Sequence, residues 1–231
     1  MAWFVYDEFN IYTTKWSLER VLKSHRWTRK QCQKKALEAS AELRSVYHAR
    51  RASWQSHRLI FIDESGANER TGDRKFGWSP FGVHCMEMKP VKRSERWSIL
   101  PALSVNGYLP GTLVYQGSIN GELFTAWIRE TVLPQCSTDS ILIMDNASIH
   151  KTPEFLALIR DARIQVEFLP PYSPDFNPIK LSFAILKAWI RRNIKLAENF
   201  STFGVFLRYA VEQIDSELAK CQFKGCGYTL E

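Results

Sequence analysis

Two short apolar runs, Leu59–Ile62 and Ile141–Met144, each end in an aspartate, Asp63 and Asp145. A continuous apolar run of this length predicts a strand buried on both faces, and the acid marks where the chain leaves the sheet. Between them, RWSILPALSVNGYLPGTLVYQG (96–117) carries two strand-like runs around Asn106-Gly107. Both residues of that dipeptide tolerate positive φ, so a hairpin is expected there. Residues 67–96 are rich in charge, Gly and Pro and read as a loop or loose hairpin.

Elsewhere the apolar period lengthens to that of a helix. Leu18, Val21 and Leu22 share one face of a helix in 13–31, with Thr13 or Thr14 as its cap, and a second basic helix is expected over roughly 30–51. Asn120 should cap a helix that buries Leu123, Phe124, Trp127, Ile128 and Val132. Thr152-Pro153-Glu154 opens another, followed by a strand at 165–169. Asn177-Pro178 opens the next, with Asn177 as N-cap and Pro178 in the first turn. One final helix over 201–220 should bury Phe203, Leu207, Ala210, Ile214 and Leu218. Strands with a hairpin first, then alternating helices and strands, predict an α/β fold: a mixed sheet with helices on its faces.

At 231 residues, with 45% hydrophobic and 13% aromatic content, the chain can form one substantial domain and a smaller appendage. No stretch approaches the roughly 20 apolar residues of a membrane span, and residues 1–30 lack the apolar core of a signal peptide. A soluble, intracellular protein without a membrane partner is expected. Cys32, Cys85, Cys136, Cys221 and Cys226 are scattered, and the one close pair lacks the matching pair a zinc site needs, so free thiols are expected.

The net charge of +7 is unevenly placed. Residues 1–60 hold 12 Lys and Arg against 5 Asp and Glu, whereas the rest of the chain holds 19 of each. A segment so biased suits a polyanion, because each neutralised phosphate releases counterions. Lys15, Arg20, Lys23, Arg26, Arg29 and Lys30 are the candidate DNA contacts, against the alternative of a solvated basic helix. The first helix has the character of a recognition helix, but only a dozen residues precede it, so the helix-turn-helix unit is expected to be partial.

Asp63 and Asp145 suggest chemistry if their strands are neighbours. Ligand and catalytic groups gather at strand ends in α/β sheets, and two converging carboxylates repel unless a cation such as Mg²⁺ or Mn²⁺ sits between them. Position 180 falls in the first turn of the helix after Asn177-Pro178, where a glutamate would complement the helix dipole. The residue there is Lys180.

IFIDESG (60–66), LIMDNASIHK (142–151) and FLPPYSPDFNPI (168–179), with 34 residues between Asp145 and position 180, together resemble the DDE domain of mariner-superfamily transposases. TGDRKFGWSPFG (71–82) fits the same family. The resemblance implies an RNase H-like catalytic domain over 57–231, similar to that of retroviral integrases. It also implies a basic helical remnant of a DNA-binding region over 1–56, with the front missing. By resemblance, an acidic triad binding two Mg²⁺ or Mn²⁺ ions nicks transposon ends and joins them to target DNA, in the nucleus and with no membrane partner; a homodimer is compatible with that role. Asp63 and Asp145 match the first two acids, and Lys180 stands where the third, a glutamate, is expected.

An ammonium has three donors and no lone pair, so it cannot ligate a metal. At about 4 Å and an effective dielectric of about 20, each contact with a carboxylate is worth roughly 4 kcal/mol before desolvation. The expectation is that Lys180 acts as an internal counter-ion in a folded but chemically impaired site. Glu64 is expected on the opposite face from Asp63 by strand alternation. Asp175 is expected to form a turn, and His150 to make either a structural hydrogen bond or a phosphate contact. Trp78 is read as a core or DNA-contacting aromatic, and Lys92, Arg93 and Arg96 as a modest basic cluster. Two functions follow: a transposase-derived DNA-binding protein with a DDE endonuclease domain, or a non-catalytic DNA-binding protein of the same descent.

Overall fold

The computed structural model describes residues 2–29, 40–73, 77–86 and 95–230. Lys30, Cys32, Lys92 and Arg93, together with the first part of the expected second helix, lie outside the described residues. The chain divides into two compact units, Met1–Ala36 and Leu37–Glu231. The division falls earlier than residue 56 because the helix before the first strand packs into the larger unit.

In the smaller unit, α1 (Ala2–Phe9) precedes α2 (Lys15–Ser24), which Thr14 caps by accepting a hydrogen bond from the Ser17 amide at 3.2 Å. None of the residues in either helix is buried; Leu18 and Leu22 are half-buried and Val21 is exposed.

The larger unit is built on a five-stranded sheet. β1 (Leu59–Ile62) runs parallel to β7 (Ile141–Met144), which runs parallel to β8 (Gln165–Phe168). On its other side β1 pairs antiparallel with β4 (Ala102–Ser104), and β4 with β5 (Gly107–Tyr108). A second sheet joins β2 (Ser65–Ala67), β3 (Trp97–Leu100) and β6 (Leu113–Gln116), all antiparallel. The expected two strand-like runs are therefore four strands shared between two sheets.

The two sheets are one ladder interrupted. Phe61 faces Leu103 and Ile62 faces Ala102, while Ser65 faces Ile99 on the same register. Position 101 thus lies opposite Asp63, and it is a proline, which has no N–H to give a ladder. The pairing opens where Asp63 leaves β1. In the hairpin the two turn residues are Val105 and Asn106, and Gly107 pairs with Ser104. Its φ of +107° and the Ile214 carbonyl, 3.0 Å from where a Cβ would stand, require glycine there.

Side chains of β1 and β7 alternate between two cores. Leu59, Phe61, Ile141 and Ile143 join one with α6 (Pro178–Asn193), α7 (Phe203–Val211) and α8 (Ser216–Gly225). Ile60, Ile62, Leu142 and Met144 join the other with α4 (Gly121–Trp127) and α5 (Pro153–Ala162). Asn120 and Thr152 cap α4 and α5 as the sequence predicts. The single final helix is instead two, because the Asp215 carboxylate accepts from the Leu218 amide at 2.9 Å and starts α8 afresh.

The helix α3 (Ala41–Arg51) clamps the loop before α6 to the chain's C-terminal end. Arg44 donates two hydrogen bonds to Asp175, at 2.9 and 2.7 Å. The guanidinium groups of Arg44 and Arg51 lie 4.4 and 4.7 Å from the centre of the Phe176 ring. The hydroxyls of Tyr47 and Tyr228 share a hydrogen bond of 2.9 Å, Tyr228 donates to the Phe176 carbonyl, and Arg51 donates to that of Cys226.

The Arg44 hydrogen bonds hold the Asp175 carboxyl below its ordinary range. A depressed folded-state value stabilises above the unfolded pKa and is lost as pH falls through the folded one. Asp175→Asn should therefore lower stability at pH 7 by about 1 kcal/mol or less, as the pair is half-exposed. Its melting temperature should draw toward that of the wild type as pH falls below about 4 and meet it only below the lower folded-state value.

Candidate active site

Asp63 and Asp145 follow the paired residues Ile62 and Met144, so adjacent parallel strands deliver them to one end of the sheet. Both have the parity of Phe61 and Ile143, which face the α6 core, and α6 carries Lys180 as its third residue. Lys180 Nζ donates to Asp63 Oδ2 at 2.6 Å. The Asp63 side chain is 6% exposed and that of Lys180 is 43% exposed. Burial pushes the Asp63 carboxyl above its ordinary value, against the opposing pull of the Lys180 hydrogen bond and charge; the negative charge of Asp145 adds to the rise. The Glu64 amide donates to Asp63 Oδ1 at 2.9 Å.

Asn177 precedes α6 as the sequence predicts, but its side chain makes no cap hydrogen bond. Its Nδ2 donates to Asp63 Oδ2 at 3.4 Å, and its Oδ1 accepts from no amide of α6.

Asp145 is held differently. His150, 1% exposed, places Nδ1 at 3.0 Å from Asp145 Oδ1 and 3.3 Å from the Asp145 carbonyl oxygen. Both partners are acceptors, so Nδ1 carries the hydrogen. With the Ala147 amide donating to the same Oδ1 at 3.0 Å, the carboxyl lies below its ordinary value, chiefly through His150. His150 thus makes a structural hydrogen bond, with its ring 4.6 Å from that of Phe124.

The expectation that Glu64 points away from Asp63 rests on strand alternation. The pleat ends at Ile62, and Glu64 lies between strands, where alternation no longer applies. Burial raises its carboxyl, and the charges of His150, Asp63 and Asp145 all act on it. Asp175 is engaged by Arg44, away from the carboxylates. Trp78 is fully exposed rather than part of a core, and Arg96 is exposed. Lys15, Arg20, Lys23, Arg26 and Arg29 are exposed on the smaller unit, with Lys15 3.9 Å from Glu19.

The sequence reading missed Arg44, which lies 131 positions from its partner and carries no local signal. Among the described residues, no group of three or more His, Cys, Asp or Glu side chains is placed to hold a metal ion.

The DDE superfamily endonuclease family matches residues 58–202, more than half of the chain, and the chain belongs to that family. No curated protein matches. Among solved structures, a pre-cleavage Mos1 transpososome is similar with a TM-score of 0.65 at 12% identity, covering 97% of this chain and 74% of that one. The Mos1 mariner paired end complex with Mn gives 0.64 at 14%, with the same coverage. The Mos1 transposase paired-end complex with left transposon end gives 0.56 at 15%, covering 98% and 78%. At these identities the likeness establishes a shared fold.

Removing Lys180 leaves Asp63 buried beside Asp145. Lys180→Met should raise the Asp63 carboxyl further and destabilise by about 2 kcal/mol at pH 7. A carboxyl raised in the folded state is neutral, and the penalty absent, below its unfolded pKa; the penalty grows as pH rises through the folded value. The loss should therefore shrink in acid, and Lys180→Met/Asp63→Asn should recover most of it in urea unfolding.

Proposed function

We propose that this DDE-superfamily chain is a mariner-type, transposase-derived DNA-binding protein whose phosphodiester chemistry is silenced at position 180. The observation that carries the reading is the 2.6 Å contact between Lys180 Nζ and Asp63 Oδ2. The family chemistry needs Mg²⁺ or Mn²⁺ clamped by carboxylate oxygens. The residues here do not fit such an ion. Asp63 is spent on an ammonium, Asp145 accepts from His150, and the third position offers donors only.

Binding falls to the basic smaller unit. Lys15, Arg20, Lys23, Arg26 and Arg29 are exposed, and a phosphate backbone neutralises such charges without metal. Complexes with transposon ends among the similar structures support DNA as the partner. A homodimer and a nuclear location belong to the same reading.

A second reading, metal-dependent cleavage with Glu64 as third acid, has in its favour only that the charges of Asp63 and Asp145 help to raise the Glu64 carboxyl. One set of assays decides between them. Duplex affinity should fall steeply with salt and be unchanged by a chelator. Replacing Arg20 or Lys23 by alanine should reduce the log–log salt slope by about 0.9 each if it contacts a phosphate. Supercoiled plasmid with Mn²⁺ should remain intact, whereas Lys180→Glu should bind Mn²⁺ measurably. Strong nicking by the unaltered chain, lost in Glu64→Gln, would overturn the first reading in favour of the second.

A further inference from the structure

Asp63 and Lys180 sit on different elements, and one side chain touches the chain beside both. The Tyr228 ring lies 5.2 Å from that of Phe61, two residues before Asp63 on β1, in an edge contact. Its hydroxyl donates to the Phe176 carbonyl at 2.9 Å. Phe176 adjoins Asn177, whose carbonyl accepts from the Lys180 amide at 3.1 Å and whose Nδ2 reaches Asp63 at 3.4 Å. Tyr228 thus spans the gap that the Lys180–Asp63 contact closes.

A hydroxyl has one hydrogen. Tyr228 gives its own to Phe176, so in the 2.9 Å pair with Tyr47 it accepts and Tyr47 donates. The order runs from Tyr47 to Tyr228 to the Phe176 carbonyl, and the Tyr47 ring also stacks on that of Phe176 at 5.2 Å. All three residues are buried. Tyr47, however, is the one buried residue of α3, while Leu43 and Val46 face solvent. The other holds on this helix are polar: Arg44 to Asp175, and Arg51 to the Cys226 carbonyl. A cavity of about 720 Å³ lies between α3, residues 175–176 and residues 225–227. A helix held by one buried side chain, with a cavity along its packed face, has low local stability and opens before the sheet does.

We propose that α3 is a releasable strap, and that Tyr228 is the positioning residue through which its grip holds Lys180 on Asp63. With α3 seated, Phe176 is fixed by both tyrosines and Lys180 covers the carboxylate. With α3 lifted, Phe176 loses its stacking partner, Asp175 its two hydrogen bonds and the Tyr228 oxygen its donor. The entry of α6 then loosens, and the ammonium exchanges Asp63 for water. This deepens the reading of Lys180 as a counter-ion by making its contact depend on α3, and it requires neither DNA nor cleavage.

The test acylates the full chain with sulfosuccinimidyl acetate and maps the products by mass spectrometry, which reads how often the Lys180 amine is free. Hydrogen exchange reads the opening of α3. Tyr228→Phe keeps the ring but leaves the Phe176 carbonyl without that donor. One hydrogen bond corresponds to about three- to tenfold in an equilibrium, and Lys180 acylation should rise by that factor. Tyr47→Phe leaves the bond to Phe176 in place and should raise it only about twofold. Arg44→Lys, which acts from the exposed rim, should speed exchange of the α3 amides and acylation of Lys180 together. The β7 amides and Lys220 should keep their wild-type rates throughout. Unchanged Lys180 acylation in Tyr228→Phe, or faster α3 exchange in Arg44→Lys without faster acylation, would overturn the strap. So would a rise shared by the β7 amides, which marks general loosening. None of these outcomes touches the silencing at position 180, which is tested by nicking and Mn²⁺ binding.

Discussion

A buried carboxylate facing an ammonium at 2.6 Å is the contact around which the crevice at the end of the sheet is arranged. Asp63 has lost its water, which raises the energy of its charged form. Lys180 returns part of that energy without adding to it, since its own head group is still partly solvated. Three acids at this place would need external cations to coexist. Two acids and a lysine need fewer, and the remaining acid, Asp145, is satisfied by His150 and a backbone amide. The crevice is thus stabilised in part by its own groups.

That contact depends on sheet register. One residue of slip in β1 against β7 would turn Asp63 toward α4 and α5 and away from Lys180. The register is held by the alternation of two apolar faces, each covered by helices. Pro101 opposite Asp63 then opens the ladder at the point where the carboxylate must leave the sheet.

The approach of Lys180 has a second support far away in sequence. α3 grips Asp175 and Phe176, and Tyr228 reaches the same loop from the C-terminal end. Asn177 and Lys180 follow directly, so elements from both ends of the larger unit fix the entry of α6. A helix counted by composition with the basic N-terminal segment serves the DDE domain's interior instead, because its aromatic and guanidinium groups find partners there.

Strand-terminal aspartates, the capped helices α4 and α5, and the spacing from Asp145 to Lys180 were legible from sequence, since short-range periodicity and capping chemistry act within a few residues. The family motifs carried the fold for the same reason: they are contiguous. The Asp215 cap that splits the last helix is local and was overlooked, whereas the division of the hairpin strands between two sheets and the tyrosine and arginine clamp were not legible. The latter two depend on groups that chain connectivity separates and packing brings together. Sequence determined that an ammonium replaces a carboxylate at position 180; only the tertiary structure decided that it reaches Asp63, because a contact across 117 residues is set by register and helix docking, not by any local preference.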